Sequence, residues 1–416
     1  MSAADMHRVR HMTNYMHEMG TKVTIAMVHE KYTPYEIDYN LSYTIPADIK
    51  IIKVGAVSNK LLKIIGIGSL ALRCIWSYFI HINKLLEKEK FDLIFFSTTM
   101  FPIPVLGAYW KYKYGVPYVV DIQDMWHSDY YQNKPKHQKP KNYWFSYPLH
   151  KFTEPLSLKN CAGIVSVSQA YIDILQSRYT HLNNNNCLLQ PFSALDKDFE
   201  ILQRVKITNK IFDLNAKKTI NIVYVGRGGE DMNTSLTYIF KALAMGLKED
   251  EKTFSQIKMY FIGTSYTGSR YKPIEILAQK YSVSRYVSEH PKRYAYFEAL
   301  NFLTQADMLI VPGSDDPNYT ASKIYSYILA QKPILAVFHA SSSIPEIINT
   351  SKSGEYMTFI NKEIDENIVH SLYMKWHNML KKIPYSPETD YEAFAPYTAQ
   401  YMTMNIIQFF DRLSTE

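Results

Sequence analysis

Continuous apolar runs alternate with helix-spaced stretches along most of this chain. In the second half the runs are Ile220 to Val225, Ile257 to Gly263, Met308 to Val311 and Ile334 to Phe338. Runs this short, without polar alternation, predict strands buried on both faces of a parallel sheet. Helical spacing falls between them at Ser235 to Leu247, Ile274 to Tyr281 and Tyr294 to Thr304, and a helix is expected to start at the TASK segment (320–323). The first half repeats the alternation. An amphipathic helix over Met6 to Met19 stops at Gly20, and Lys22 to Val28 reads as a strand. A helix over Ala71 to Glu89, a strand over Phe91 to Ser97, a helix over Val105 to Tyr114 and a strand over Tyr118 to Ile122 follow. A basic, Pro-rich loop (Asn133 to Asn142) and another helix lead to a strand over Gly163 to Ser168. Leu188 to Glu200 reads as a strand running into a linker, and Tyr391 to Leu413 as a helical tail.

Two rounds of strand and helix predict an α/β protein with two Rossmann-like domains. The expected boundaries are residues 1–196, 197–388 and a tail at 389–416. A doubly wound domain should open on a strand before its first helix, and Met1 falls about where the loop after that strand is expected. Either the start codon is misplaced or the sequence is a fragment without the first strand of the N-terminal domain. The expectation is an in-frame, strand-like segment upstream of Met1; a stop codon immediately before it would count against this.

Composition narrows the class. The 416 residues suffice for two cores, and 47% hydrophobic with 20% charged residues suits a globular chain. Cys74, Cys161 and Cys187 are odd in number and far apart, which predicts reduced thiols rather than a disulfide framework. The histidines are read as forming no HExxH or HxxxH pair, and no metal or cofactor is expected. The opening MSAADMHRVRHM lacks the apolar centre of a secretory signal, so a cytoplasmic location is expected. From Lys50 to Lys151 there are 15 Lys and Arg against 6 Asp and Glu. Such a patch suits an anionic membrane surface or a polyphosphate, or is a solvated basic face. Nucleic-acid binding is not expected, because no recognised module accompanies the charge.

Candidate chemistry gathers where strands are predicted to end. After the strand at 220–225 come Gly226, Arg227, Gly228 and Gly229, where glycines let backbone amides approach a phosphate and the arginine supplies a cation. After the strand at 308–311 come SDDPNY, Ser322 and Lys323, with Lys323 expected in the first turn of a helix whose free amides help hold the same anion. Tyr319 is the aromatic of the SDDPNY loop. In the first half Gln123 and Asp124 follow a strand, and His127 lies a turn away. Asp124 suits either orienting or deprotonating an acceptor hydroxyl, or capping a helix that follows. Arg293 and Glu298 are either near this site or simply helix-surface charges.

Several of these segments, in order, resemble the family-4 glycosyltransferases of the GT-B fold. ADMHRVRHMTNYMHEMGTKVTIAMV is similar to their opening helix and second strand, and GVPYVVDIQDMW to their acceptor-side strand. PFSALDKDFE resembles their interdomain joint, with Ser193 where Gly is common; VGRGG and SDDPNYTASKIYSYILAQKP resemble their donor-binding loops. The resemblance implies two facing Rossmann-like domains and a C-terminal helix returning to the first. It also implies a retaining, hexosyltransferase-type enzyme acting on a nucleotide sugar without an essential metal. A glycan or polyprenyl-linked acceptor and a role in bacterial surface polysaccharide would follow. On that pattern Arg227 and Lys323 hold the diphosphate, with Gly226, Gly228, Gly229, Tyr319 and Ser322 around the donor. Gln123, Asp124 and His127 face the acceptor.

The chain departs from the pattern in three places. A lysine usual shortly after the loop arginine is replaced across Met232, Asn233 and Thr234. Two glutamates usual around the donor helix are Asn318 and Ser326, and the acceptor-side His-Asp pair is Gln123-Asp124. These departures keep a non-catalytic GT-B scaffold open as an alternative, beside a nucleotide-sugar epimerase. A nicotinamide oxidoreductase is not supported, since no GxGxxG follows any strand. Finally, Ile64 to Ile82 is apolar but carries Arg73 near its centre, at ~2.5–3.5 kcal/mol in a bilayer. A core helix, or one docking on the inner face of the plasma membrane, is expected rather than a span.

Overall fold

The computed structural model describes residues 4–33, 37–58, 69–127, 132, 139, 143–216, 218–265, 270–317, 319 and 321–414. The chain divides into two compact units: Met1–Ser193 with Ala399–Glu416, and Ala194–Thr398.

In the second unit the strands are β7 (Ile220–Val225), β8 (Ile257–Ile262), β9 (Val287–His290), β10 (Met308–Pro312), β11 (Ile334–His339) and β12 (Gly354–Phe359). They form one parallel sheet in the order β12-β11-β10-β7-β8-β9. β10 and β11 are buried almost throughout, as their unbroken apolar runs require. The order reverses between β7 and β10. This is the doubly wound pattern, and its switch point lies between the carboxyl ends of those two strands.

The first unit holds two parallel sheets. One pairs β1 (Thr24–Val28) with β2 (Lys50–Val54); the other runs β3 (Ile94–Ser97), β4 (Tyr118–Ile122), β5 (Gly163–Ser166) and β6 (Cys187–Leu189) in sequence order. The last helix, Ala399–Ser414, packs here. Its Met402, Ile406 and Phe409 share a core with Met12 of the opening helix, Val119 of β4 and Val165 of β5.

Several expectations change. The tail is not one helix from Tyr391: a short turn, Tyr391–Phe394, stays with the second unit, and the helix that joins the first begins at Ala399. The end of the segment read as linker, up to Glu200, belongs to a helix, Lys197–Arg204, with Asp198 buried and accepting from Tyr296. The helix expected from TASK spans only Ile324–Leu329. Of the apolar stretch at 64–82, residues 64–68 lie outside the described residues, and the rest lies in the helix Leu70–Leu86. There Arg73 is buried and donates to the Val57 carbonyl, as a packed helix allows. Among the described residues no helix is long and apolar enough to cross a membrane.

Candidate active site

At the switch point of the second sheet, the loops after β7 and β10 meet. The β7 loop is held from both sides: Gly226 donates to the Ile262 carbonyl and Gly228 to the Thr264 carbonyl. The hydroxyl of Tyr327 bridges the amide and carbonyl of Val225, tying the end of β7 to the helix Ile324–Leu329. Behind Thr264 lies a buried carboxylate, Glu289. It accepts from the Thr264 hydroxyl and from the amides of Ile274 and Glu275, and burial holds its carboxyl above the usual value.

On this frame the cations converge. Arg227 makes a two-pronged pair with Asp231 (Nη1–Oδ1 2.9 Å, Nη2–Oδ2 2.6 Å) and lies over the Tyr319 ring at 4.9 Å. Asp231 also accepts from Ser314 at 2.6 Å, so the β7 and β10 loops are joined through one carboxylate. The Arg227 guanidinium holds that carboxyl down at about 2. Lys323 Nζ donates to the Tyr224 hydroxyl at 2.5 Å, and that hydroxyl donates on to the Arg227 carbonyl at 2.8 Å. Burial, with Arg227 and Arg293 nearby, lowers Lys323 to about 7, and Asp231 offsets part of this. Glycine leaves room for charged side-chain ends at two places. A Cβ on Gly226 would collide with Lys323 Nζ, and one on Gly229 would strike the Asp231 carboxylate.

Gly226, Arg227, Gly228, Gly229, Tyr319 and Lys323 are therefore brought together, and Ser322 adjoins them in the turn before Lys323. Lys323 is the residue just before a six-residue helix, not a member of its first turn. A helix that short has little macrodipole, so the cations and the glycine loop dominate the local charge. Sequence reasoning missed Asp231, Ser314 and Tyr224. The four-residue spacing of Arg227 and Asp231 was the one signal available for the first. Arg293 donates to the Gly263 carbonyl beside the site, whereas Glu298 accepts from the Ala295 amide and caps its own helix. Ser326 is on the helix beyond Lys323, and Asn318 lies outside the described residues.

The polar residues of the first unit do not converge in this way. Asp121 is buried in an ion pair with Arg8 (2.9 Å, both side chains fully enclosed) and accepts from Ser97 and Gln123. Gln123 is thus turned inward. Asp124 reaches solvent, with its carboxyl raised by desolvation; burial, and Asp124 nearby, raise the Tyr171 hydroxyl. No helix covers residues 125–127, so the capping role for Asp124 has no support there. His127 belongs to another cluster: its Nε2 lies 3.3 Å from Glu154, which also binds Arg178 and Tyr179. His7 and His11 stand four residues apart on the opening helix, a pairing that motif reading overlooked. Burial and Arg10 depress both, and both ring nitrogens contact Arg10. Among the described residues no three His, Cys, Asp or Glu side chains gather as a metal site.

Two α/β units, each built on parallel sheets, have the architecture of the GT-B fold. The sequence model of Glycosyltransferase Family 4 matches residues 7–184, and the chain resembles that family. Among solved structures it is similar to a glycosyltransferase from Rickettsia africae ESF-5 (12% identity, 98% of this chain and 94% of that one, TM-score 0.57). It is similar also to Anabaena HepE, solved with UDP and glucose (12%, 99% and 96%, TM-score 0.58). A third is described as a UDP-N-acetylglucosamine 2-epimerase from Listeria monocytogenes (10%, 98% and 93%, TM-score 0.52). At such identities the likeness establishes the fold. No curated protein matches the sequence.

Proposed function

We propose that the protein is a glycosyltransferase that moves a sugar from a nucleotide-sugar donor to a glycan or polyprenyl-linked acceptor. It acts with retention, without an essential metal, in bacterial polysaccharide synthesis at the cytoplasmic face of the membrane. The observation that carries this is the convergence of Arg227, Lys323 and Tyr319 at the switch point of the second sheet. In the reaction the bond from the anomeric carbon to the diphosphate oxygen breaks, and a bond to the acceptor hydroxyl oxygen forms. The departing diphosphate gains charge as the bond lengthens. Arg227 and Lys323 offset that charge, and losing one such donor costs ~10²–10³ in rate. Lys323, at about 7 when empty, takes up a proton as the anion arrives. Asp124, whose side chain reaches solvent, receives the acceptor's proton.

HepE binds UDP and glucose, so UDP-sugars are the first donors to try. The test follows UDP-glucose and UDP-N-acetylglucosamine by NMR with the purified chain, with and without lipid-linked acceptor. Acceptor-dependent release of UDP supports the reading. Interconversion of the sugar without acceptor would mean an epimerase. Binding without turnover would mean the scaffold, which Ser326 and Gln123 at pattern positions favour.

A further inference from the structure

The helix Tyr143–Leu158 carries its amphipathicity inverted. Toward the interior it places Thr153, Glu154 and Ser157 beside Leu158. Toward solvent it places Trp144, Phe152 and Leu156, which are 78%, 69% and 45% exposed. These recur at multiples of four and so form one stripe along the helix. Lys151, also exposed, stands beside the stripe, and Lys159 lies just past its end. The neighbouring helix, Val105–Tyr114, adds Tyr112, 91% exposed, between Lys111 and Lys113. Lys111 donates to the Asn160 carbonyl at 3.0 Å, and the two helices pack side by side. Across 105–117 and 143–160 the only carboxylate is Glu154, and it is buried against Arg178.

We propose that these two helix faces form a docking surface for an anionic bilayer. Trp144, Phe152, Leu156 and Tyr112 enter the headgroup region, and Lys111, Lys113, Lys151 and Lys159 meet lipid phosphates. Rings with a lysine fringe have the composition of an interfacial surface; the exposed acid beside it, Glu87, lies 3.5 Å from Lys113 and leaves Lys111, Lys151 and Lys159 in excess. A second copy of the chain is a poorer fit. A self-facing patch would set lysine against lysine, and the centres of protein interfaces are depleted in that residue. The proposal deepens the lipid-linked acceptor reading but does not depend on catalysis.

The test is flotation of the full chain with vesicles of phosphatidylcholine and phosphatidylglycerol, against vesicles of phosphatidylcholine alone. Binding is expected on the anionic vesicles and should weaken with salt. Phe152→Asp should lower partitioning about tenfold or more, with the circular dichroism spectrum and UDP binding unchanged because the side chain faces solvent. Trp144→Phe should still bind but lose most fluorescence quenching by brominated lipid. Four results would overturn the proposal: no partitioning at low salt, full partitioning by Phe152→Asp, quenching intact in Trp144→Phe, or a dimer that Phe152→Asp dissolves while vesicles are ignored. None of these touches the nucleotide site, so failure here leaves the donor reading separately testable.

Discussion

Both units end parallel strands in loops rich in polar residues, but they use those residues differently. In the second unit Arg227, Lys323 and Tyr319 turn toward one another, and their charge is only partly neutralised by Asp231. In the first, Asp121 at the end of β4 is consumed by the fully buried Arg8, and Gln123 by Asp121. One loop set is arranged around an anion-sized excess of positive charge, while the other satisfies itself. The difference teaches that equal topology does not give equal readiness: preorganised cations bind, and internally paired ions hold a fold together.

The largest expected effect separates these roles. Asp121→Ala leaves Arg8 charged and enclosed, which should cost ~3–5 kcal/mol of stability in urea unfolding of the first unit. Nucleotide binding by the second unit should survive under native conditions. If stability were unchanged, the contrast between a structural and a functional ion pair would fail. Arg227→Ala should do the reverse, lowering transfer ~10²–10³-fold while leaving the unfolding midpoint nearly in place, because its pair with Asp231 reaches solvent.

Smaller effects sharpen the account of Lys323. Its depressed value of about 7 means that it is protonated below that pH and neutral above it in the empty site. A diphosphate favours the charged form, so UDP affinity should fall by up to about tenfold per pH unit on the alkaline side of 7. Lys323→Met should flatten this slope in titration calorimetry. A wild-type slope that is already flat would remove Lys323 from the anion. Smallest of all, Asp231→Asn loosens the orientation of Arg227 without deleting a cation. It should lower the turnover number about fivefold, with UDP affinity changed by no more than about twofold.

Much of this was legible in the sequence, and the gaps have physical causes. Runs such as INIVYV and the glycines after it mark a buried strand and a tight exit, so the donor-side loops could be read directly. The strand Lys50–Val54 was missed because its lysines place polar side chains in a short, edge-like run. Residues 197–200 read as linker because their polar residues outnumber their apolar ones, yet Asp198 is buried by a partner 98 positions away. The same distance problem hides Tyr224 and Ser314, whose roles come from contacts with Lys323 and Asp231. Gln123 and Asp124 are adjacent in sequence, and the bend that follows β4 turns one inward and leaves the other exposed, which no strand pattern foretells.

The most direct test of the central claim is calorimetric titration of UDP, GDP, ADP and dTDP into the full chain and into Lys323→Ala. The account predicts micromolar binding of at least one of them, weakened about tenfold or more by the substitution. No binding by any of the four, or equal binding by the variant, would contradict a diphosphate site at the switch point of the second sheet.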